Sequence, residues 1–451
     1  MQQAEFDNKD VNKIKEVLDT GGDEALENVL AEYHPSEIAI AFEHLSKEEQ
    51  ERIVNLLPTE VASETISEMD EEQHPEELLL QLNPEKRKEI IEEFDYDDAT
   101  DIISQLDADE QEEILEDLDK ADAQAIRNLL IYPEDTAGGL MNSSFISVNI
   151  HQNKADAINE IIRRSEDIEE FYTIYATDDS NKLAGIVSIK NILKSRADTT
   201  INDLLRTDFI SVHATADQEE VAKLMSQYNL SAIPVVDEND RLLGQITFDD
   251  VMDVLEEENT EDILKISGVS EDEELSGSWQ MSVKSRLPWL VINLATAFLA
   301  AAVINHFDPT IKRIPIIAGY MTIIAGMGGN AATQALAVTV RRISLNELSD
   351  RQAWSAVKKE IIVGLINGAA NGIIVFIMAV VFHSNPLLGV VIFLAMTGNL
   401  IIAGITGSGI PLILKRLGAD PAVASSIIIT TFTDVFGFLL ILGLASKLLL
   451  N

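Results

Sequence analysis

Asp434 is the only Asp or Glu inside five long apolar stretches of this chain, in Thr430-Thr431-Phe432-Thr433-Asp434-Val435-Phe436-Gly437-Phe438. A carboxylate at membrane depth costs roughly 3 kcal/mol or more, so it normally faces a wet cavity or a partner. The chemistry it offers there is oxygen ligation of a hard cation. The plainer alternative is a structural acid hydrogen-bonded to neighbouring Thr and Ser hydroxyls. Two polar clusters could face it. One is Gly326-Met327-Gly328-Gly329-Asn330-Ala331-Ala332-Thr333-Gln334; the other is Gly398-Asn399 with Gly404-Ile405-Thr406-Gly407-Ser408-Gly409. Small residues let helices approach closely, and they also permit broken helices whose freed carbonyls line an aqueous path. Neither cluster is a nucleotide loop, because no Gly-Lys-Ser/Thr follows.

A second set of oxygen ligands lies far upstream. Residues 1–283 carry 70 acids and 21 bases, a net charge of −49, whereas residues 284–451 carry 6 acids and 12 bases, a net of +6. Such a surface repels nucleic acid and anionic lipid and concentrates counter-cations. The absence of cysteine excludes disulfides and thiolate metal sites, so a bound metal here takes oxygen ligands. Neither a Ser/His/Asp set nor a His-Glu-x-x-His motif is present, and the expectation is a protein that is not an enzyme.

The elements that must position these acids follow from periodicity. An apolar residue followed by a capping residue recurs at Leu45-Ser46, Leu57-Pro58-Thr59, Met69-Asp70, Leu82-Asn83, Phe94-Asp95, Leu106-Asp107 and Leu118-Asp119, every 12 or 13 residues. Ser, Thr, Asn and Asp cap helix N–H groups, so this segment reads as a small helical solenoid. The period then changes. Phe145-Ile146-Ser147-Val148 returns as Phe209-Ile210-Ser211-Val212, and Lys182-Leu183-Ala184-Gly185-Ile186-Val187-Ser188 returns as Arg241-Leu242-Leu243-Gly244-Gln245-Ile246-Thr247. Each copy of about 60 residues reads as strand, helix, strand, turn, strand, helix. The pattern resembles a tandem CBS-domain pair, a sensor module that binds adenine nucleotides or ions and is often dimeric.

A polar, acidic helix follows, from Leu255-Glu256-Glu257-Glu258 through Glu261-Asp262, with a further acidic run at Glu271-Asp272-Glu273-Glu274. Beyond it, 287–304, 314–340, 361–382, 387–414 and 422–450 each reach the roughly 18 to 20 residues a spanning helix needs. Arg341, Arg342, Arg351, Lys358 and Lys359 lie between spans two and three, Lys415 and Arg416 between four and five, and Lys284 and Arg286 before the first. Positive-inside bias therefore places the N-terminal half in the cytoplasm and the C-terminus outside, with Lys312 and Arg313 as the exception. The start, Met1 to Asp7, lacks a basic n-region and an apolar h-region, in keeping with a cytoplasmic acidic half.

Three membrane motifs together resemble the MgtE magnesium channel family: Gly328-Gly329-Asn330 with Thr333-Gln334, Leu417-Gly418-Ala419-Asp420-Pro421-Ala422, and Thr433-Asp434-Val435-Phe436-Gly437. The order of parts matches it over nearly the whole chain. The resemblance implies a multidomain membrane protein: an all-α N-terminal superhelical domain (1–136), an α+β tandem CBS pair (137–253), a connecting, plug-like helix (254–283) and a five-helix transmembrane pore domain (284–451). In that family the pore forms between two protomers, and its selectivity aspartate corresponds to Asp434. Asn330 is similar to a pore-lining position. The family's cytosolic Mg²⁺ ligands match Asp97 and Asp101, Asp217 and Glu219, Asp250 and Asp253, and Glu258, Glu261 and Asp262. Asn229 stands where some members have an acid.

The resemblance thus implies a homodimeric Mg²⁺ channel for magnesium uptake across a bacterial-type plasma membrane. Mg²⁺ is both its transported and its regulatory ion, and an adenine nucleotide is a candidate ligand of the CBS pair. Two other readings stand beside it. One is a secondary divalent-cation exchanger, against which a single intramembrane acid argues. The other is a membrane-anchored CBS sensor without transport.

Overall fold

The structure, a computed structural model, describes residues 6, 8–165, 168, 173–270, 273, 278–344, 348, 350–423 and 426–450. Glu271, Asp272 and Glu274 of the acidic run, and the side chain of Arg351, lie outside the described residues. The chain divides into two compact units, Met1–Glu256 and Glu257–Asn451.

The capping periodicity becomes a run of short helices. They are α1 (Asn8–Thr20), α2 (Asp23–Leu30), α3 (Pro35–Phe42), α4 (Lys47–Leu56) and α5 (Thr59–Ser67). Then come α6 (Pro75–Gln81), α7 (Pro84–Ile91), α8 (Tyr96–Ser104), α9 (Ala108–Asp117) and α10 (Lys120–Leu129). Ser46 caps α4 in a reciprocal box with Glu49, whose carboxylate accepts the Ser46 N–H at 2.7 Å. Asn83 accepts the Lys86 N–H at 2.9 Å, and Asp107 pairs with Glu110 in a second box. Two units depart from the pattern. Pro58, not Thr59, is the residue before α5, and Asp70 opens a 3₁₀ turn (Glu71–Gln73) rather than a helix. α6 begins only at Pro75, behind His74 at φ 55; proline at the first helical position disfavours helix in the residue before it. Ile14, Leu26, Phe42, Ile53, Ile66, Leu79, Ile90 and Ile103 from successive helices merge into one core, as stacked units must.

The repeated segment forms two three-stranded sheets of the same order. The first has β1 (Ser147–Asn149), α11 (Lys154–Arg164), β2 (Ile174–Thr177), β3 (Leu183–Val187) and α12 (Ile189–Lys194). The second has β4 (Val212–His213), α13 (Gln218–Tyr228), β5 (Ala232–Val236), β6 (Leu242–Thr247) and α14 (Phe248–Ser267). In each, the first two strands pair in parallel across a helical crossover and the third is antiparallel, with Ile174 opposite Val187 and Ala232 opposite Thr247. Tyr175, fully buried, joins the copies by donating its hydroxyl to Gln245 Oε1 at 3.0 Å. α14 is a single 20-residue helix across the expected 253/254 boundary, so the acids of the second copy and those of the connecting segment share one rod.

Among the described residues, the second unit has five helices long and apolar enough to cross a membrane. These are α15 (Trp279–His306), then, after the short α16 (Asp308–Arg313), α17 (Ile317–Ser344), α18 (Asp350–His383), α19 (Pro386–Arg416) and α20 (Ser426–Leu449). α19 packs against α17, α18 and α20. Both Gly-rich stretches stay helical: α17 and α19 are continuous, with Gly328, Gly404 and Gly407 packed against neighbouring elements, and the one backbone donor lost is that of Pro411, which leaves the Gly407 carbonyl without its helical N–H. Gly364, Gly368 and Gly372 form a seam four residues apart on α18, and a Cβ at Gly368 would lie 2.8 Å from Thr397 Cα of α19.

Candidate cation sites

Asp434 lies in mid-α20, half-buried, where α20 crosses α17. The crossing is close because it is made of glycine. A Cβ at Gly328 would come within 3.2 Å of Thr433 Cβ, and one at Gly329 within 3.4 Å of Thr430 Cγ2. Asn330 follows that glycine pair and is exposed, so both expected pore residues belong to one crossing. The neighbouring threonines leave the acid alone. Thr431 donates to Ile427 O at 2.8 Å and Thr433 to Thr430 O at 2.9 Å, as mid-helix threonines do. Among the described residues no donor or cation meets the Asp434 carboxylate. A half-buried, unpaired carboxylate on an apolar helix is able to ligate a cation.

The first unit gathers carboxylates from α8 and from the start of α14. Asp97 is buried, and its Oδ1 has no hydrogen-bond donor. Burial pushes its carboxyl well above the usual range, and repulsion from Asp98, Asp250, Asp95 and Asp101 adds to it. Asp98 is raised to about 7, by burial first and then by Asp95, Asp250, Glu68 and Asp249. Asp250 is raised by burial, although its carboxylate takes the Thr247 N–H at 2.9 Å and the Thr247 hydroxyl at 2.7 Å. Asp253 rises by burial and by Glu68 and Asp249. So the structure brings Asp97, Asp101, Asp250 and Asp253 together, and it adds Asp98, Asp95, Asp249 and Glu68. The donor set is all carboxylate oxygen, one of them orphaned and buried, which fits a hard divalent cation.

The later acids of α14 belong to the second unit. Asp262 accepts from the Ser344 hydroxyl at 3.1 Å at the end of α17; burial raises its carboxyl, that hydrogen bond opposes the rise, and Asp420 and Arg341 add smaller effects that raise and lower it. Asn259 accepts from Arg341 at 3.0 Å. Lys265 sits between Glu261, with which it pairs directly, and Asp420 in the α19–α20 turn, 3.0 Å away. Ile266 packs on the cluster of Leu336, Ala403, Ala422 and Ile429. Glu258, half-buried, lies one turn before Asp262 on the same helix.

Asp217 and Glu219 open α13. Asp217 caps α13 by accepting the Glu219 N–H at 2.9 Å, and Glu219 stands 4.0 Å from Lys223. Three exposed or half-buried acids outside the expected set, Glu92, Asp119 and Asp122, have carboxylate oxygens within 4.8 Å of one another. Lys88 bridges Glu92 and Asp119, and Asp122 takes the Tyr96 hydroxyl.

Against known proteins, residues 321–444 match the model of a divalent cation transporter, MgtE. Residues 33–135 match the MgtE intracellular N domain, and 137–198 and 201–257 each match a CBS domain. The magnesium transporter MgtE of Bacillus subtilis is 31% identical over 419 residues, 93% of each chain. The chain belongs to the MgtE family of magnesium transporters. Its relative in Enterococcus faecalis, also named magnesium transporter MgtE, is 35% identical over 72% of each chain. The chain also resembles the crystal structure of the cytosolic domain of the Mg²⁺ channel MgtE in complex with ATP. Identity is 32% and the TM-score 0.51, over 54% of this chain and 99% of that one.

Proposed function

We propose that the chain is a Mg²⁺-selective channel for uptake, closed by Mg²⁺ bound among its cytosolic carboxylates. The observation that carries the reading is Asp434, half-buried with its carboxylate unpaired at the α17–α20 crossing. One such acid makes a thin filter. A homodimer would set two carboxylates on one two-fold axis, and these would hold a hydrated ion through its waters, since Mg²⁺ dehydrates reluctantly. Asn330 would add an amide to that path.

Gating follows from the same ion. Without cation, Asp97 and Asp98 on α8 repel Asp250 and Asp253 on α14, and the two elements separate. A divalent cation neutralises them and draws them together, which shifts the population toward the closed state and gives negative feedback. α14 carries the effect, because its first turns hold Asp250 and Asp253 and its last turns hold Glu261, Asp262 and Lys265. The likeness to an ATP-bound cytosolic domain supports the CBS pair as an adenine-nucleotide site. The acidic half lies in the cytoplasm on this reading, and the C-terminus outside.

Recording from reconstituted protein tests both parts. Wild type should carry Mg²⁺ current that falls as cytosolic Mg²⁺ rises, and Asp434→Ala should abolish it. An unchanged current in Asp434→Ala would sink the filter. The triple variant Asp97→Asn, Asp250→Asn, Glu258→Gln should keep conducting at high cytosolic Mg²⁺; normal closure would sink the sensor.

A further inference from the structure

Asn399 of α19 is fully buried, yet only half of its amide is satisfied. Its Nδ2 donates to Ile324 O of α17 at 3.0 Å. Its Oδ1 meets no donor. Turning the amide over would set its oxygen against the Ile324 carbonyl, so that carbonyl decides the orientation. On one side of the amide is Gly328 of α17, where a Cβ would overlap Nδ2. On the other is Gly437 of α20, where a Cβ would lie 2.9 Å from Nδ2 and 3.1 Å from Oδ1. A flat carboxamide is therefore clamped between two glycines of different helices.

Stability does not explain this choice. A hydrogen bond between membrane helices is a small gain, and an orphaned buried oxygen costs more than such a bond returns. The position does explain it. Gly328 begins the stretch that ends in Asn330, and Gly437 lies three residues, about one turn, after Asp434. The thickness of the Asn399 amide sets how closely the two stretches approach, and its bond to Ile324 O holds α17 in rotation.

We propose that Asn399 is a positioning residue of the permeation path. It fixes the separation and rotation of the α17 and α20 turns that carry Asn330 and Asp434, and through them the ion discrimination of the path. It touches no ion itself. The inference rests on the transport reading of Asp434 and deepens it. Its signature is a change in selectivity that reverses when the clamp is refitted.

The test uses full-length protein reconstituted in liposomes, with the Mg²⁺ to Ca²⁺ permeability ratio as readout and thermal unfolding in detergent as a check on folding. Asn399→Ala should unfold near the wild-type temperature and shift the ratio by about tenfold, the lower range for groups that orient metal ligands. Gly437→Ala, which presses a methyl group on the amide, should also shift it. The double variant, in which that methyl group has room, should return toward wild type. A folded Asn399→Ala with an unchanged ratio overturns the proposal, as does a double variant whose shifts merely add. Where Asn399→Ala fails to fold, Gly437→Ala decides: a shifted ratio supports the role and an unchanged one overturns it. Failure of all three to fold overturns it in favour of a purely structural amide. A wild type without Mg²⁺ flux overturns the transport reading itself, whereas identical conduction by wild type and Asn399→Ala overturns only the positioning role.

Discussion

Asp97 keeps a buried oxygen with no donor beside four other aspartates, so the ion-free protein must carry either a proton or an uncompensated charge there. Replacing it with Asn removes the charge and keeps the shape. At pH 8 without divalent cations, Asp97→Asn should unfold at a higher temperature, with a gain of about 1–3 kcal/mol, the cost of an unsatisfied buried group. It should also lose most of the stabilisation that Mg²⁺ gives the wild type; thermal unfolding with and without Mg²⁺ checks both effects. Asp98 adds a pH dependence. Its folded value of about 7 lies above the ordinary 3.8, so the folded chain holds a proton that the unfolded chain releases between these values. Stability from this group is complete below pH 3.8, falls as pH rises toward about 7 and is level beyond. Unfolding in EDTA at several pH values should show that fall, and Asp98→Asn should lessen it. An equal slope in the variant would remove Asp98 as its source.

Among elements, α14 carries acids of both groups along its length, and its far end is held by a lysine. The Lys265 ammonium neutralises Glu261 and Asp420 together and is mostly sheltered from solvent. A cation built into the helix thus ties it to the α19–α20 turn without a metal ion. Lys265→Met keeps the aliphatic stem and removes the charge. Loss of about 1 kcal/mol from this partly screened network would speed amide exchange over residues 261–268 roughly fivefold. The same variant should need more cytosolic Mg²⁺ to close. Hydrogen exchange by mass spectrometry checks the first effect, and unchanged protection at 261–268 would show that packing of Ile266 alone holds the helix end.

For the whole molecule, charge and hydropathy divide the chain at the same place. The half with a net charge of −49 needs counter-cations, and the half with a net of +6 needs lipid. The proposed orientation is open to direct measurement because the chain has no cysteine. Ser384, exposed between α18 and α19, should react as Ser384→Cys with a membrane-impermeant maleimide applied to intact cells. Asp109→Cys, on α9, should react only after the cells are opened. The opposite pattern would invert the membrane topology.

The membrane spans, the 12-residue helical solenoid and the repeated sheets could all be read in advance, because each rests on a local period that any fold must respect. Asp434 stood out for a similar reason: its cost in hydrocarbon holds whatever surrounds it. Two kinds of fact waited for tertiary structure. Sequence left the Gly-rich stretches open between broken helices and close packing, and only the neighbours of Gly328, Gly404 and Gly407 decided for packing at those positions. Asp217 looked like Asp250 as a candidate ligand. One caps a helix and the other joins a carboxylate cluster, because burial and long-range repulsion depend on what the fold brings alongside. Asp98, Asp420 and Lys265 were within or beside the motifs but acquired roles only through partners elsewhere in the chain. By itself the sequence determined five apolar segments long enough to cross a membrane and a cysteine-free, acid-rich half, since composition and periodicity are properties of the chain. Which carboxylates share a site, and that an amide on α19 clamps two glycines beside Asp434, was decided by tertiary structure, since proximity between distant residues exists only in the folded protein.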